Sequence, residues 1–219
     1  MRGDYPPGSP LGEVELAQRF DVSRGPVREA LTHLERESLV HCFPNRGCFV
    51  TTLSEQEFDE IIMLRSVLEP IALQLAREKA SSKDIKALRR RLRDLDRAAA
   101  KRDQRTFIRN DYELHVAIWE LAGRPLLTDV LKRVAAPVFM FEAIVEYRYR
   151  NAGYDAVADA HAHRVLIDYV AGETNLDAYT CLQPVLDVAM RAEKPVVFDR
   201  RSAPDSAVKC LPATARVPQ

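Results

Sequence analysis

From Ser54 to about residue 193 the apolar residues recur at helical spacing, one amphipathic stretch after another, with no strand-like run between them. A chain patterned this way has few options besides packing helix against helix around a shared core. Ser54-Glu55-Gln56-Glu57 opens the stretch with a capping box, in which two side chains satisfy the free N–H groups of a helix start. Phe58, Ile61, Leu64, Leu68, Ile71 and Leu75 mark the inner face of a first long helix. A second helix runs from about Lys83 to Asp103 with Ile85, Leu88, Leu92 and Leu95 inward, and a third from about Thr106 to Ala122. Pro125 and Pro137 open a fourth and a fifth near their first turns, and two more cover about 156–171 and 175–192. Seven helices with short connections predict an antiparallel bundle over 54–193.

Residues 1–53 are built differently. A short helix over Gly12–Phe20 is broken at Asp21-Val22-Ser23. Ser23 then suits the N-cap of a second helix whose Val27, Ala30, Leu31 and Leu34 follow one buried face. Val40–Phe43 and Cys48–Thr52 are β-rich and flank the turn Pro44-Asn45-Arg46-Gly47, which reads as a hairpin. Helix, short turn, helix and hairpin in this order outline a winged helix-turn-helix. The fold class is therefore mainly α: an N-terminal winged helix-turn-helix with a small hairpin wing, then an all-α bundle. Residues 194–219 hold four prolines and no apolar period, and are expected to be a flexible tail.

Composition narrows the function classes. The 219 residues carry 32 Lys and Arg against 32 Asp and Glu, so no polybasic coat is present, though a small DNA-reading face remains open. No apolar run reaches the roughly 18 residues of a membrane span, and the first residues lack the apolar core of a signal peptide, so a cytoplasmic protein is expected. Cys42, Cys48, Cys181 and Cys210 include no CxxC, which suggests neither a disulfide framework nor a zinc knuckle.

The segments Pro7–Ala17, Val22-Ser23-Arg24-Gly25-Pro26-Val27-Arg28-Glu29-Ala30-Leu31 and Pro44–Val50 resemble the DNA-binding domain of GntR-family transcription regulators, and the helical part is similar to the FCD domain of the FadR subfamily. The resemblance covers about residues 6–192 and implies a regulator, commonly a repressor, rather than an enzyme. It implies a double-stranded DNA operator, a small organic-acid effector and a homodimer as partners. Arg24 and Arg28 sit one helical turn apart, off the face of Val27, Leu31 and Leu34. In a major groove such arginines can each make two hydrogen bonds to guanine. The resemblance places DNA contacts at Arg24, Gly25, Pro26 and Arg28, capped by Ser23, and fits the wing tip, Gly47, to the minor groove, while Arg46 beside it can meet a phosphate. Val14 stands where the family often has a backbone-touching arginine. The resemblance implies a further helix before the Pro-Gly segment, which is either missing here or cut off by a truncated start; without it, apolar surface of the recognition helix is expected to be exposed. An alternative reading follows from that gap: a ligand-binding or interaction protein that has lost DNA binding.

Asp111 and His115 stand at i and i+4 of one helix and can aim at one point, with His163 on a later helix. In metal-binding FCD domains an Asp and three His hold zinc, nickel or manganese, and Asp111, His115 and His163 match the first three positions. The fourth falls on Val185, which cannot ligate; water or an effector carboxylate would fill the gap. His161 is an outside candidate for the gap, but two residues from His163 it does not share that helix face unless the helix is irregular there. A buried Asp–His pair without metal is the other reading of the same residues. Arg65, with Glu69 one turn on, either reaches an acid effector bound beside Asp111, His115 and His163 or forms an ordinary surface ion pair. Trp119 is expected in the core. Three ligands and an open position could activate water, but no general base stands at a fixed spacing, as the Glu of HExxH does.

Overall fold

The computed structural model describes residues 5–148 and 156–190, with side chains up to residue 140 in the first segment. The winged part comprises β1 (Pro10–Leu11), α1 (Glu13–Phe20), α2 (Arg24–Arg36), β2 (Val40–Phe43) and β3 (Gly47–Val50). The strands form one antiparallel sheet in the order β1-β3-β2. The two-residue β1 is too short to have a readable pattern in the sequence. Leu16, Ala17, Val27, Leu31, Val40 and Val50 are buried together beneath the sheet. Ala30, expected on this face, is exposed. Ser23 occupies the N-cap of α2 with extended backbone but makes no side-chain capping bond.

The exposed apolar surface of this part differs from expectation. Val27 and Leu31 of α2 are covered, whereas Val14, Phe20 and Val22 on α1 and the turn face outward. Met140 from the helical part joins the winged core and supplies part of its cover.

The helical part comprises α3 (Glu55–Lys79), α4 (Ser82–Ala100), α5 (Gln104–Leu121), α6 (Pro125–Arg148), α7 (Ala156–Val170) and α8 (Ala178–Val188). Ser54 and Ser81 each form a complete capping box, with Glu57 and Asp84. Among the described residues these are six helices where seven were expected. Pro137 does not start a new one but lies inside α6. Leu131, Ala135, Val138 and Phe139 continue one buried stripe through it, and that burial outweighs the hydrogen bond that a proline cannot donate. The expected tail at 194–219 lies outside the described residues.

The face of α3 also departs from the periodicity read in sequence. Phe58, Ile62, Arg65, Glu69, Ala72, Leu73 and Ala76 point inward, while Leu64 and Ile71 point out. With Met63 and Val67, the latter pair makes a second, solvent-facing apolar stripe, each residue 40–58% exposed. Phe58 is buried and Ile61, Leu68 and Leu75 pack partly buried against the core as expected, so the expected face fails only at Leu64 and Ile71. Packing then turned a charged pair into the core.

The structure also corrects the reading of the cysteines. Cys42 and Cys48 face each other across β2 and β3 and are joined in a disulfide. The hairpin brings the pair into register without any CxxC spacing. Cys181 is buried and free. Closing so short a loop stabilises by about 2 kcal/mol on chain-entropy grounds. Cys48→Ser should therefore lower the unfolding free energy by about that amount, and wild-type protein should gain two alkylatable thiols on treatment with dithiothreitol, read by intact mass.

Candidate functional site

Two constellations stand out, one on the winged part and one inside the bundle. In the first, the N-terminal turn of α2 carries Arg24, Gly25, Pro26 and Arg28, all exposed. A Cβ on Gly25 would meet nothing within 4 Å, so the backbone there is open to a close-approaching surface. Glu13 of α1 holds both guanidinium groups: Arg28 donates to it through Nε (3.0 Å) and Nη2 (2.9 Å), Arg24 through Nη2 (3.1 Å). These hydrogen bonds keep the Glu13 carboxyl down at about 2. Glu13 was not singled out from sequence, although the signal was its place at the start of α1, facing the start of α2. At the wing tip, Asn45 (φ 62°) and Gly47 (φ 85°) both take left-handed backbone, and Arg46 is exposed between them. Arg24, Gly25, Pro26, Arg28, Arg46 and Gly47 are thus all exposed.

In the bundle, α5 presents Asp111 and His115 and α7 presents His163; all three are buried. His115 Nε2 lies 3.2 Å from His163 Nε2, and Asp111 Oδ1 lies 2.8 Å from His163 Nε2 and 3.5 Å from His115 Nε2. The outer nitrogens are fixed by acceptors. His115 Nδ1 meets the Glu69 carboxylate at 2.8 Å, and His163 Nδ1 meets the Asp159 carbonyl at 2.8 Å. Both acceptors lack a proton, so each Nδ1 must carry one, and in neutral rings both Nε2 lone pairs aim inward. Asp111 Oδ1 aims at the same point and, among the described residues, is the buried side-chain atom left without a hydrogen bond of good geometry. Three such atoms converging in one buried place form a group that could hold a metal ion.

The dimensions suit a metal ion. Ligand atoms about 2.1 Å from a common centre lie about 3.0–3.4 Å apart in octahedral or tetrahedral arrangements. The three observed edges bracket that range. Glu69 and Asp159 behind the histidines are the second layer that orients imidazole ligands. Neither was singled out as such from sequence, though each stands four residues from a partner, Arg65 and His163, on the same helix. Burial works against a charged His163, but Asp111 and Asp159 raise it to about 10.

Arg65 and Glu69 resolve into neither of the two alternatives taken alone. They form an i, i+4 ion pair at 2.6 Å, but a fully buried one beside the cluster. Burial opposes the Glu69 charge, yet Arg65 and His115 hold its carboxyl down at about 2. Trp119 is in the core as expected and donates to Glu69 through Nε1 at 3.4 Å. Arg65 also stacks over the Phe139 ring, 5.1 Å from its centroid. Val185 on α8 is buried and His161 is exposed, so neither contributes a ligand atom.

A winged helix-turn-helix joined to a bundle with a buried Asp–His–His cluster defines a ligand-responsive type of regulator. Residues 1–50 match the gntR family of bacterial regulatory proteins, and residues 60–187 match the FCD domain. The chain belongs to the GntR-family transcription regulators that carry an FCD domain. It is 29% identical over 135 residues to the HTH-type transcriptional regulator YdhC of Bacillus subtilis, covering 61% of this chain and 60% of that protein. It is 27% identical over 151 residues to the Nta operon transcriptional regulator of Aminobacter aminovorans, covering 69% and 71%. The solved structure of Escherichia coli McbR/YncC shares the fold with a TM-score of 0.75 at 21% identity, covering 91% of this chain and 92% of that one. No helix among the described residues is long and apolar enough to cross a membrane.

The buried Glu69 carboxylate is the partner of a cation, an imidazole and an indole at once. Glu69→Ala should cost about 3–5 kcal/mol by breaking the buried ion pair with Arg65. Chemical denaturation monitored by circular dichroism reads that loss; Glu113→Ala, which breaks an exposed pair with Arg91, should change stability by less than about 1 kcal/mol.

Proposed function

We propose that the protein is a cytoplasmic, non-enzymatic repressor that binds operator DNA as a homodimer through residues 1–53 and is released by an organic acid taken up in the bundle of residues 54–193. The observation that carries the DNA reading is the accessible turn of α2, where Arg24, Gly25 and Arg28 stand clear of the buried Val27 and Leu31. Arg24 and Arg28 read base edges, Gly25 and Pro26 allow close approach, Ser23 starts the helix at the groove, and Arg46 and Gly47 follow the neighbouring backbone. Binding exchanges the Glu13 carboxylate for DNA.

The stripe of Met63, Leu64, Val67 and Ile71 supports the dimer reading. It spans more than two turns of α3 and lies on the side away from the core, where a second copy would cover it. Two winged parts related by a two-fold axis then meet two half-sites.

Asp111, His115 and His163 would hold a divalent ion such as zinc, nickel or manganese, which when bound supplies a positive centre for a carboxylate. Glu69 and Asp159 orient the two rings. Arg65, turned inward by Glu69, adds positive charge beside the same space, and its field reaches Asp111. An acid that bound there would favour one arrangement of the winged parts over another.

Fluorescence anisotropy with DNA from the promoter of the protein's own gene tests the first reading. Arg28→Ala should weaken operator binding by about 1–3 kcal/mol and narrow the preference for operator over random DNA. Val67→Glu should give a monomer by light scattering and lose most of the affinity; salt-independent binding, or equal binding to random DNA, would sink the reading.

Elemental analysis tests the metal. Wild-type protein should retain close to one divalent ion per chain after dialysis and melt higher with metal added, and Asp111→Ala should abolish both effects. An unchanged melting temperature with all three metals would leave the cluster as a proton-bridged structural pair.

A further inference from the structure

A cleft of about 270 Å³ separates the end of the recognition helix from the bundle, and none of the residues discussed as DNA, metal or effector contacts lines it. We propose that this cleft is a second binding site, for a small amphipathic anion such as an aromatic carboxylate. Its wall on the bundle side is one stripe of α5, in which Arg105, Ile108, Arg109 and Tyr112 follow i, i+3, i+4, i+7 spacing. Phe139 and Met140 of α6 provide an apolar floor, and Leu39 closes the winged side. The volume is at the small end of ligand pockets, and the lining pairs apolar bulk with a few converging polar groups, as such pockets do.

Charge selects the occupant. Arg105 and Arg109 are both exposed at the rim, and among the described residues neither has a carboxylate within ion-pair distance. Two guanidinium groups that make no ion pair among the described residues, set over an apolar floor, match a molecule with a carboxylate or sulfonate at one end and a hydrophobic body at the other. Glu37, the C-cap of α2, stands on the rim as well, with His33 3.5 Å from its carboxylate. A second acidic group reaching towards Glu37 would meet repulsion, so a monoanion fits better than a diacid.

The cleft touches both working parts of the molecule. Phe139 forms its floor and also packs against His115, with ring centroids 5.8 Å apart, and against Tyr112 at 5.2 Å. Met140 is buried in the winged core beside Val27 and Leu31 of the recognition helix. An occupant therefore contacts the side chains that link the buried cluster to the winged part. Binding to the cleft stands without the regulator reading; an effect of that binding on DNA affinity rests on it.

Calorimetric titration of the full-length protein with 2-naphthoate, and with neutral 2-naphthylmethanol, tests the site. Naphthoate should bind with one-to-one stoichiometry and the alcohol much more weakly. The double variant R105A/R109A should weaken naphthoate by roughly ten- to a hundredfold, the loss of charge-assisted hydrogen bonds, and leave the alcohol unchanged. Ala136→Phe, which fills the cleft, should abolish both, with melting curves confirming that each variant is folded. Asp111→Ala, which disables the buried cluster, should leave naphthoate affinity as it was. The proposal fails if naphthoate does not bind, if it binds R105A/R109A as tightly as wild type, or if Asp111→Ala abolishes binding, since the anion would then sit at the cluster. Failure of the wild-type protein to bind operator, with naphthoate affinity following the expected pattern, would count against the DNA reading alone.

Discussion

The carboxylate of Glu69 anchors the interior of this protein. It lies in the bundle core and accepts from Arg65 on its own helix, from His115 and from Trp119. His115 in turn meets His163, which is held by Asp159. A continuous polar chain thus crosses α3, α5 and α7 through otherwise apolar packing. Buried charges are tolerated only when each has its partner, so the chain fixes how these helices are rotated about their axes. The inward turn of Arg65 and Glu69 is what sends Leu64 and Ile71 outward.

That rotation divides the labour of two helices. α3 gives one face to the polar chain and the other, with Met63 and Val67, to solvent or to a second copy. α5 gives Asp111 and His115 to the interior and the Arg105–Tyr112 stripe to the cleft beneath the winged part. Phe139 lies where these faces meet, against both Arg65 and His115. A displacement at the cluster has only packed rings and side chains to move, and those rings lead to Met140 and the winged core.

The winged module shows the same economy of means. A single exposed carboxylate, Glu13, gathers both arginines of α2. A polyanion must displace that carboxylate, so the free state is not a bare cationic surface. The Cys42–Cys48 bond pins β2 to β3 just behind the wing tip, where Asn45 and Gly47 already turn the chain sharply.

Local signals determined much of this. Ser54 and Ser81 cap helices because short side chains satisfy neighbouring N–H groups wherever they occur, and α2, the hairpin and the pairing of Asp111 with His115 follow from spacing along one element. Family membership was legible in the same short motifs. What only the tertiary structure decided was anything set by contact between elements. The outward turn of Leu64 and Ile71 on α3 could not be read from hydropathy because both sides of the helix are apolar. The passage of α6 through Pro137 depended on burial against neighbouring helices. The roles of Glu13, Glu69 and Asp159, the Cys42–Cys48 bond and the cleft at Arg105 and Arg109 each require side chains from separate elements to be brought together. Spacing fixes what one helix or turn presents, and the direction in which it presents it is set by the partners that the packed chain supplies.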